Sequence, residues 1–273
     1  MCYVQPIYPT DLKYNEWKLL SDLLEKESNK RKRGHPVTVS KCSVLNGILY
    51  ANRTGCQWRM LPKEYPNWST IYGYYWKWSK EGIWEEINAR LVKAVRVKDK
   101  REEQPSAAVL DSQSVKTSEG GEQRGIDVHK QTNGRKRHVL VDVLGLILIV
   151  QVTRACVQDA AGAILLLQGY FDLIKHSVFN RWCRLKVIWA DGAYASKTDE
   201  IRMRFGWRLV TVLRPVNIKG WVLLPHRWVI ERTFGWLGRY RRLARDYEHT
   251  VLSSQSMIYI ASCRRMLRLA LNN

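Results

Sequence analysis

Three carboxylates stand at positions where they could do chemistry. Asp111 follows the apolar run from Ala107 to Leu110, and Asp191 follows the apolar run from Val187 to Ala190. Glu231 is the lone acid among eleven lysines and arginines between Arg202 and Arg245. An acid in so basic a tract would repel phosphates unless a cation sits on it. A strand-end aspartate ordinarily caps a turn or helix, and Glu231 has a structural partner in Arg227, four residues earlier, so each acid alone says little. Together they predict an oxygen-donor cage of the kind that holds Mg²⁺ or Mn²⁺, with room for two ions, and that supports in-line phosphoryl transfer. In open sheets such ligands gather at the carboxyl ends of strands, so Asp111 and Asp191 are each expected to close a strand and Glu231 to reach them from a helix packed across.

The composition agrees with a nucleic-acid substrate. The chain has 273 residues, 45% of them hydrophobic, and a formal net charge of +20. That is a globular protein with a polyanionic partner, because each neutralised phosphate releases condensed counterions. No apolar stretch is long enough for a membrane span, and the start lacks a secretory leader, so a cytoplasmic, nucleoid-associated protein is expected. The six cysteines form no C-x-x-C pair, which argues against a zinc knuckle and a disulfide framework.

Elements able to position the acids can be read along the chain. Asp11 to Glu25 has helical periodicity, and the polar, basic stretch Ser28 to Pro36 follows as a linker or phosphate-contacting arm. Ser40 is the expected cap of a second helix that stops at Gly55, Leu61 to Tyr65 has room for one helical turn between prolines, and Ser69 is the expected cap of a third helix from Thr70 to Lys80. In that last helix Ile71, Tyr74, Tyr75 and Trp78 share the inner face, which leaves Thr70, Tyr72, Trp76 and Lys77 to meet DNA in a helix-turn-helix arrangement. Periodicity is lost between 98 and 107, the expected linker between an all-α DNA-binding region (1–97) and an α/β unit (108–273). There, His138 to Val143 and Leu146 to Val152 read as a hairpin about Gly145, Asp159 to Lys175 as a helix, and Leu185 to Ala190 as a buried strand. Arg208 to Leu213 reads as a further strand, and the chain is expected to be helical from about His226. The run Arg135, Lys136 and Arg137 beside the first strand is expected to touch phosphates, while Asp142, at a turn, is read as structural.

Several stretches resemble bacterial insertion-sequence transposases of the DDE type, the IS-five group of the IS-four-like superfamily. They are Arg53 to Pro62, Trp68 to Tyr72, Pro105 to Thr117, Gly134 to Asp142, Trp189 to Tyr194 and Arg227 to Leu243, in the same order and spanning nearly the whole chain. The resemblance implies a ribonuclease-H-like core, a catalytic and metal-binding triad of Asp111, Asp191 and Glu231, and Mg²⁺ or Mn²⁺ as cofactor. It implies binding of terminal inverted repeats, phosphodiester hydrolysis and strand transfer, with a homodimer assembled on the DNA. Arg227, Arg239, Arg241 and Arg242 are the basic residues expected on DNA from the glutamate's segment. Leu224, Gly238 and Cys156 depart from the family pattern, which usually has Tyr, a basic residue, and Asp or Asn there. The alternative is a catalytically inactive, transposase-derived DNA-binding protein or repressor.

Overall fold

The computed structural model describes residues 3–26, 39–118, 120–176, 184–213 and 225–271. The basic stretch Ser28 to Pro36, Leu224, Cys2 and Cys183 lie outside them.

Four helices come first: α1 (Tyr14–Lys26), α2 (Lys41–Thr54), α3 (Trp68–Lys80) and α4 (Ile83–Lys98). Glycine ends α2 as expected: Gly55 sits at φ 74°, where a side chain would be strained, and its N–H closes the last turn onto Ala51. Two local expectations are corrected. The cap of α3 is Asn67, whose side chain accepts the Ser69 N–H, so the helix starts at Trp68, two residues earlier than a Ser69 cap would place it. The short helical piece before α3 is a 3-10 turn at Trp58–Met60, not at Leu61 to Tyr65, since Pro62 and Pro66 hold the latter out of helical geometry. With that turn included, residues 55–67 separate α2 from α3. A helix-turn-helix joins its helices by three or four residues, so these two helices do not make one.

The α/β part is built on β1 (Ala107–Lys116), β2 (Gly125–Asp127), β3 (Thr132–Asp142), β4 (Ile147–Arg154), β5 (Val187–Ala190) and β6 (Arg208–Thr211), with α5 (Asp159–His176), α6 (Thr198–Phe205), α7 (Trp228–Gly238), α8 (Arg241–Ala244) and α9 (Val251–Leu271). The spatial order is β2-β3-β1-β5-β6, and β4 pairs with β3. β1, β3 and β4 run antiparallel, while β5 and β6 continue the sheet parallel to β1. The β3–β4 hairpin turns at Asp142–Gly145 as expected, and Gly145 takes φ 79° there. Asp142 is structural: it accepts the N–H groups of Leu144 and Leu146 and pairs with buried Arg96 of α4.

The helical region and the sheet share one continuous set of buried apolar residues, from Leu12 through Trp84 and Val141 to Leu267. α9 makes the connection, since it packs on α4, α2 and α1 as well as on β4. Polar clasps fix it there: Arg264 pairs with Glu16 at 2.6 Å, Asn52 Nδ2 donates to the Met257 carbonyl at 3.0 Å, and Tyr259 Oη accepts the Val150 N–H. Among the described residues no helix is long and apolar enough to cross a membrane.

Candidate active site

Asp111 does not close its strand. It lies in the middle of β1, opposite Val139 of β3, because β1 continues through Ser112, Gln113 and Ser114 to Lys116. Their backbone is laddered to β3, and the hydroxyls of Ser112 and Ser114 donate to Asp159 and Asp127. On its other side β1 pairs with β5, Val109 opposite Trp189, and continuing that register sets Asp111 opposite Asp191. Thus the 80-position interval between the two aspartates is the offset of the two strands. Asp191 does end its strand, and its carboxylate accepts the Ala193 N–H at 2.9 Å as the cap of the 3-10 turn at Gly192–Lys197. Glu231 stands in the first turn of α7, half exposed, where the helix dipole favours a negative charge. α7 packs on β1.

The three acids converge on a single atom. Arg227 Nη2 is 3.7 Å from Asp111 Oδ2, 3.9 Å from Asp191 Oδ2 and 4.0 Å from Glu231 Oε1. These separations are electrostatic contacts, longer than hydrogen bonds, and Arg227 Nε is buried without a hydrogen-bond partner. One guanidinium against three carboxylates leaves two negative charges without a counterpart there. Burial pushes the Asp111 carboxyl up to about 6, only partly offset by the Ser112 N–H and by Arg227. The donor set therefore fits a divalent, oxygen-seeking cation in chemistry and in charge. Among the described residues no three His, Cys, Asp or Glu side chains are near enough to hold one metal ion in this arrangement.

His226 is a residue that sequence reasoning missed. Its ring stacks on Trp189 of β5 with centroids 3.9 Å apart, and its backbone sits at φ 65°, outside the usual range for a side-chain-bearing residue. The stack ties the entry of α7, and with it Arg227, to the strand that delivers Asp191. Only the positive φ marks it, and no sequence pattern foretells that. Beneath the acids, Tyr194 is fully buried, and Ser112 Oγ donates to Asp159, which also pairs with Lys136 at 2.8 Å.

The basic run on β3 is not a phosphate-binding surface. Arg135 is fully buried, paired with Asp246 and donating to the carbonyls of Glu122, Glu248 and His249. Lys136 is held by Asp127, Asp159 and the Val157 carbonyl, and Arg137 by the Leu243 carbonyl. Arg242 is buried too, on Glu248 and the Cys56 carbonyl. Expecting these four on DNA is corrected: all four side chains are buried and bonded within the fold, Arg135 and Arg137 to carbonyls of residues 243–249 among others, although Arg137 Nε has no partner. Arg239 and Arg241 remain exposed, as does Tyr72, while Thr70, Trp76 and Lys77 are partly exposed on α3. Gly238 is exposed with open space where a Cβ would stand, and Cys156 packs against Gly125, so neither departure from the family pattern reaches the acids.

Comparison with known proteins decides the family. Residues 102–265 match the family described as "Transposase DDE domain". The chain belongs to the DDE transposases. Its residues 12–88 match a second family, described as "Putative transposase of IS4/5 family". It is 30% identical over 112 residues to the "Insertion element IS402 uncharacterized 16.2 kDa protein" of Burkholderia cepacia, covering 40% of this chain and 75% of that protein. No solved structure matches. DDE membership implies a ribonuclease-H-like core, and the order of three antiparallel strands followed by two parallel ones agrees with it.

Proposed function

We propose that this DDE transposase is catalytically competent: it binds the terminal inverted repeats of its element, hydrolyses a phosphodiester to free a 3′-hydroxyl, and directs that hydroxyl at target DNA. The observation that carries the reading is the convergence of Asp111, Asp191 and Glu231, from three separate stretches of chain, on Arg227 Nη2 within 4.0 Å. A structural ion pair needs one carboxylate, and a third one half exposed to solvent adds only repulsion unless a cation or a transferring phosphate uses it. Asp111, Asp191 and Glu231 would hold Mg²⁺ or Mn²⁺, which when bound supplies a polarised phosphate and an activated nucleophile. The chain itself supplies position: the β1–β5 register aligns the two aspartates, and α7 brings Glu231 across them. Arg227 offsets one of their three charges and is placed to meet a phosphate that enters the cluster. Exposed Arg239, Arg241 and Arg245 beyond α7 extend a positive surface suited to the DNA backbone.

The test is cleavage of a linear duplex carrying the element's ends, with Mg²⁺ or Mn²⁺. Asp111→Asn, Asp191→Asn and Glu231→Gln should each lower the rate by on the order of a hundredfold or more while leaving duplex affinity within about twofold. Undiminished cleavage in excess chelator would remove the metal from the mechanism, and absent cleavage by the unaltered chain beside tight binding would leave a DNA-binding protein without this chemistry.

A further inference from the structure

Arg232 and Arg265 stand beside one another, and among the described residues neither makes an ion pair. They line a cavity of about 380 Å³ between the C-terminal ends of α4 and α9, the β3–β4 turn and α7. Its size falls in the range of small-ligand sites, about 300–1,000 Å³. Lys98, Leu144, Trp236 and Leu269 share its walls. Arg232 lies over the rings of Trp228 and Trp236, 4.5 Å from each centroid, and Arg265 lies over Trp236 at 3.2 Å. The indoles hold both guanidinium groups and leave N–H donors unspent. Arg232 Nη2 donates to the Leu144 carbonyl at 3.1 Å, while its Nε is buried with no hydrogen-bond partner. The bond from Arg265 to the Gly145 carbonyl is long, at 3.5 Å. Burial, and then the neighbouring Arg232, pull Arg265 down to about 10, so it keeps its charge at neutral pH at a cost. The carboxylate that acts on both arginines is Asp142, already committed to Arg96 and to the N–H groups of Leu144 and Leu146. Asp99 in the wall is offset by Arg101 at 3.0 Å, and Lys98 adds a further cation that donates to the Leu269 carbonyl.

We infer that Arg232 and Arg265 form an anion site that takes a terminal phosphate, the doubly charged monoester. Two adjacent guanidinium charges match the roughly two negative charges of a monoester at neutral pH, whereas a carboxylate or a backbone diester would leave one of them unmatched. The planar forks, already oriented by the indoles, suit phosphate oxygens better than a point charge would. Successive helix positions are about 100° apart, so Arg227 and Glu231 share the face of α7 that meets the acids, and Trp228, Arg232 and Trp236 line the next face round. The site is therefore distinct from the acid cluster, yet carried by the same helix. The source of the phosphate rests on the hydrolysis proposed above. Freeing a 3′-hydroxyl breaks the bond from phosphorus to the 3′-oxygen. Phosphorus keeps the oxygen of water, one proton of that water goes to the 3′-oxygen and the other to solvent. The phosphate then stays as a monoester on the 5′ end of the other fragment, and the site would hold that cut end. Inorganic phosphate presents the same dianion free.

The experiment uses the full chain in chelator, so that no cation at the acids can hold phosphate, and two probes. One is inorganic phosphate against chloride at equal ionic strength, read as melting temperature. The other is a blunt duplex of one sequence with 5′-phosphate or 5′-hydroxyl ends, read as affinity. Phosphate should raise the melting temperature, and the 5′-phosphate duplex should bind on the order of tenfold more tightly than its 5′-hydroxyl twin. Arg232→Gln and Arg265→Gln should each abolish the melting shift and bring the affinity ratio near one. Where glutamine impairs folding, Arg265→Lys keeps a charge and a long stem and should still lose most of the ratio, because an ammonium has no fork. A melting shift without an affinity ratio would support the site with the free anion as its ligand. Equal losses on both duplexes, with the ratio kept, would make the arginines ordinary backbone contacts and overturn it. No response of the unaltered chain to either probe would overturn it too, and cleavage of end-bearing DNA by that chain would leave the DNA reading standing. Failure to bind either duplex would sink the DNA reading and the 5′-phosphate source with it, while the melting shift would still decide the site.

Discussion

His138 and Arg227 illustrate how burial decides what a charged or titratable side chain does here. His138 rises from β3 against Gly162 of α5, its Nε2 on Thr153 Oγ1 and its Nδ1 unpartnered, and burial pulls its pKa down to about 4; nearby Lys136 and Lys130 push the same way and Asp159 opposes them. The unfolded chain then takes up this proton near pH 6.5 and the folded chain only near 4, so stability from this group is complete above about 6.5 and is lost as pH falls through that window. Urea unfolding of His138→Gln should lack that part of the pH dependence between 6.5 and 4, and an unchanged slope would mean that the ring is wetter than its packing indicates. Arg227→Ala should leave three carboxylates facing one another. Its melting temperature should drop in chelator and recover with Mg²⁺ or Mn²⁺, by a gain of about 2–3 kcal/mol when metal stands near a hundred times its dissociation constant. If metal stabilised neither the variant nor the unaltered chain, the acids would not be a cation site. Arg135→Ala and Arg137→Ala should cost about 3–5 kcal/mol of stability, since each strips donors from buried carbonyls or from Asp246. A loss of DNA affinity with full stability would restore them to the DNA surface.

At the scale of elements, α9 sets the limits of what can be cut apart. The sequence suggested a helical region that ends near Lys98 and a separate α/β unit. Yet α4 buries Trp84, Ile87 and Leu91 in the core that α9 completes, and Asn88 bonds both Ser262 of α9 and the Ile147 carbonyl of β4. A fragment ending near Lys100 exposes that face and deprives Glu16 of its partner Arg264. It should show helical circular dichroism without cooperative melting, or aggregate. A sharp unfolding transition in the isolated fragment would re-establish it as an independent domain. The same logic explains why a basic run on a strand misled: charge runs are usually solvated, but β3 is a central strand crossed by the segment that follows α8.

On the scale of the whole molecule the net charge of +20 divides unequally between interior and surface. Arg96, Arg135, Arg137, Arg242 and Arg264 are all buried, whereas Arg239, Arg241 and Arg245 are exposed and are the ones proposed to meet DNA. Replacing those three with glutamine should reduce the slope of log affinity against log salt by about 0.9 for each lost phosphate contact. A slope that did not change would move the DNA track away from this end of α7.

The sequence by itself determined what local rules and composition can reach. Periodicity located α1, α2, α5 and the β3–β4 hairpin, Gly55 and Gly145 marked their turns, and an acid stranded among bases singled out Glu231. The motifs in order carried the family. What tertiary structure alone decided is which distant residues meet. The β1–β5 register sets Asp111 opposite Asp191, His226 pins α7 by stacking on Trp189, and Arg227 stands among three acids instead of beside one. The crossing of β3 by residues 243–249 turned expected phosphate ligands into buried donors. Each of these depends on pairing across long stretches of chain, where the energy comes from burial and charge at a contact that no neighbouring residue encodes.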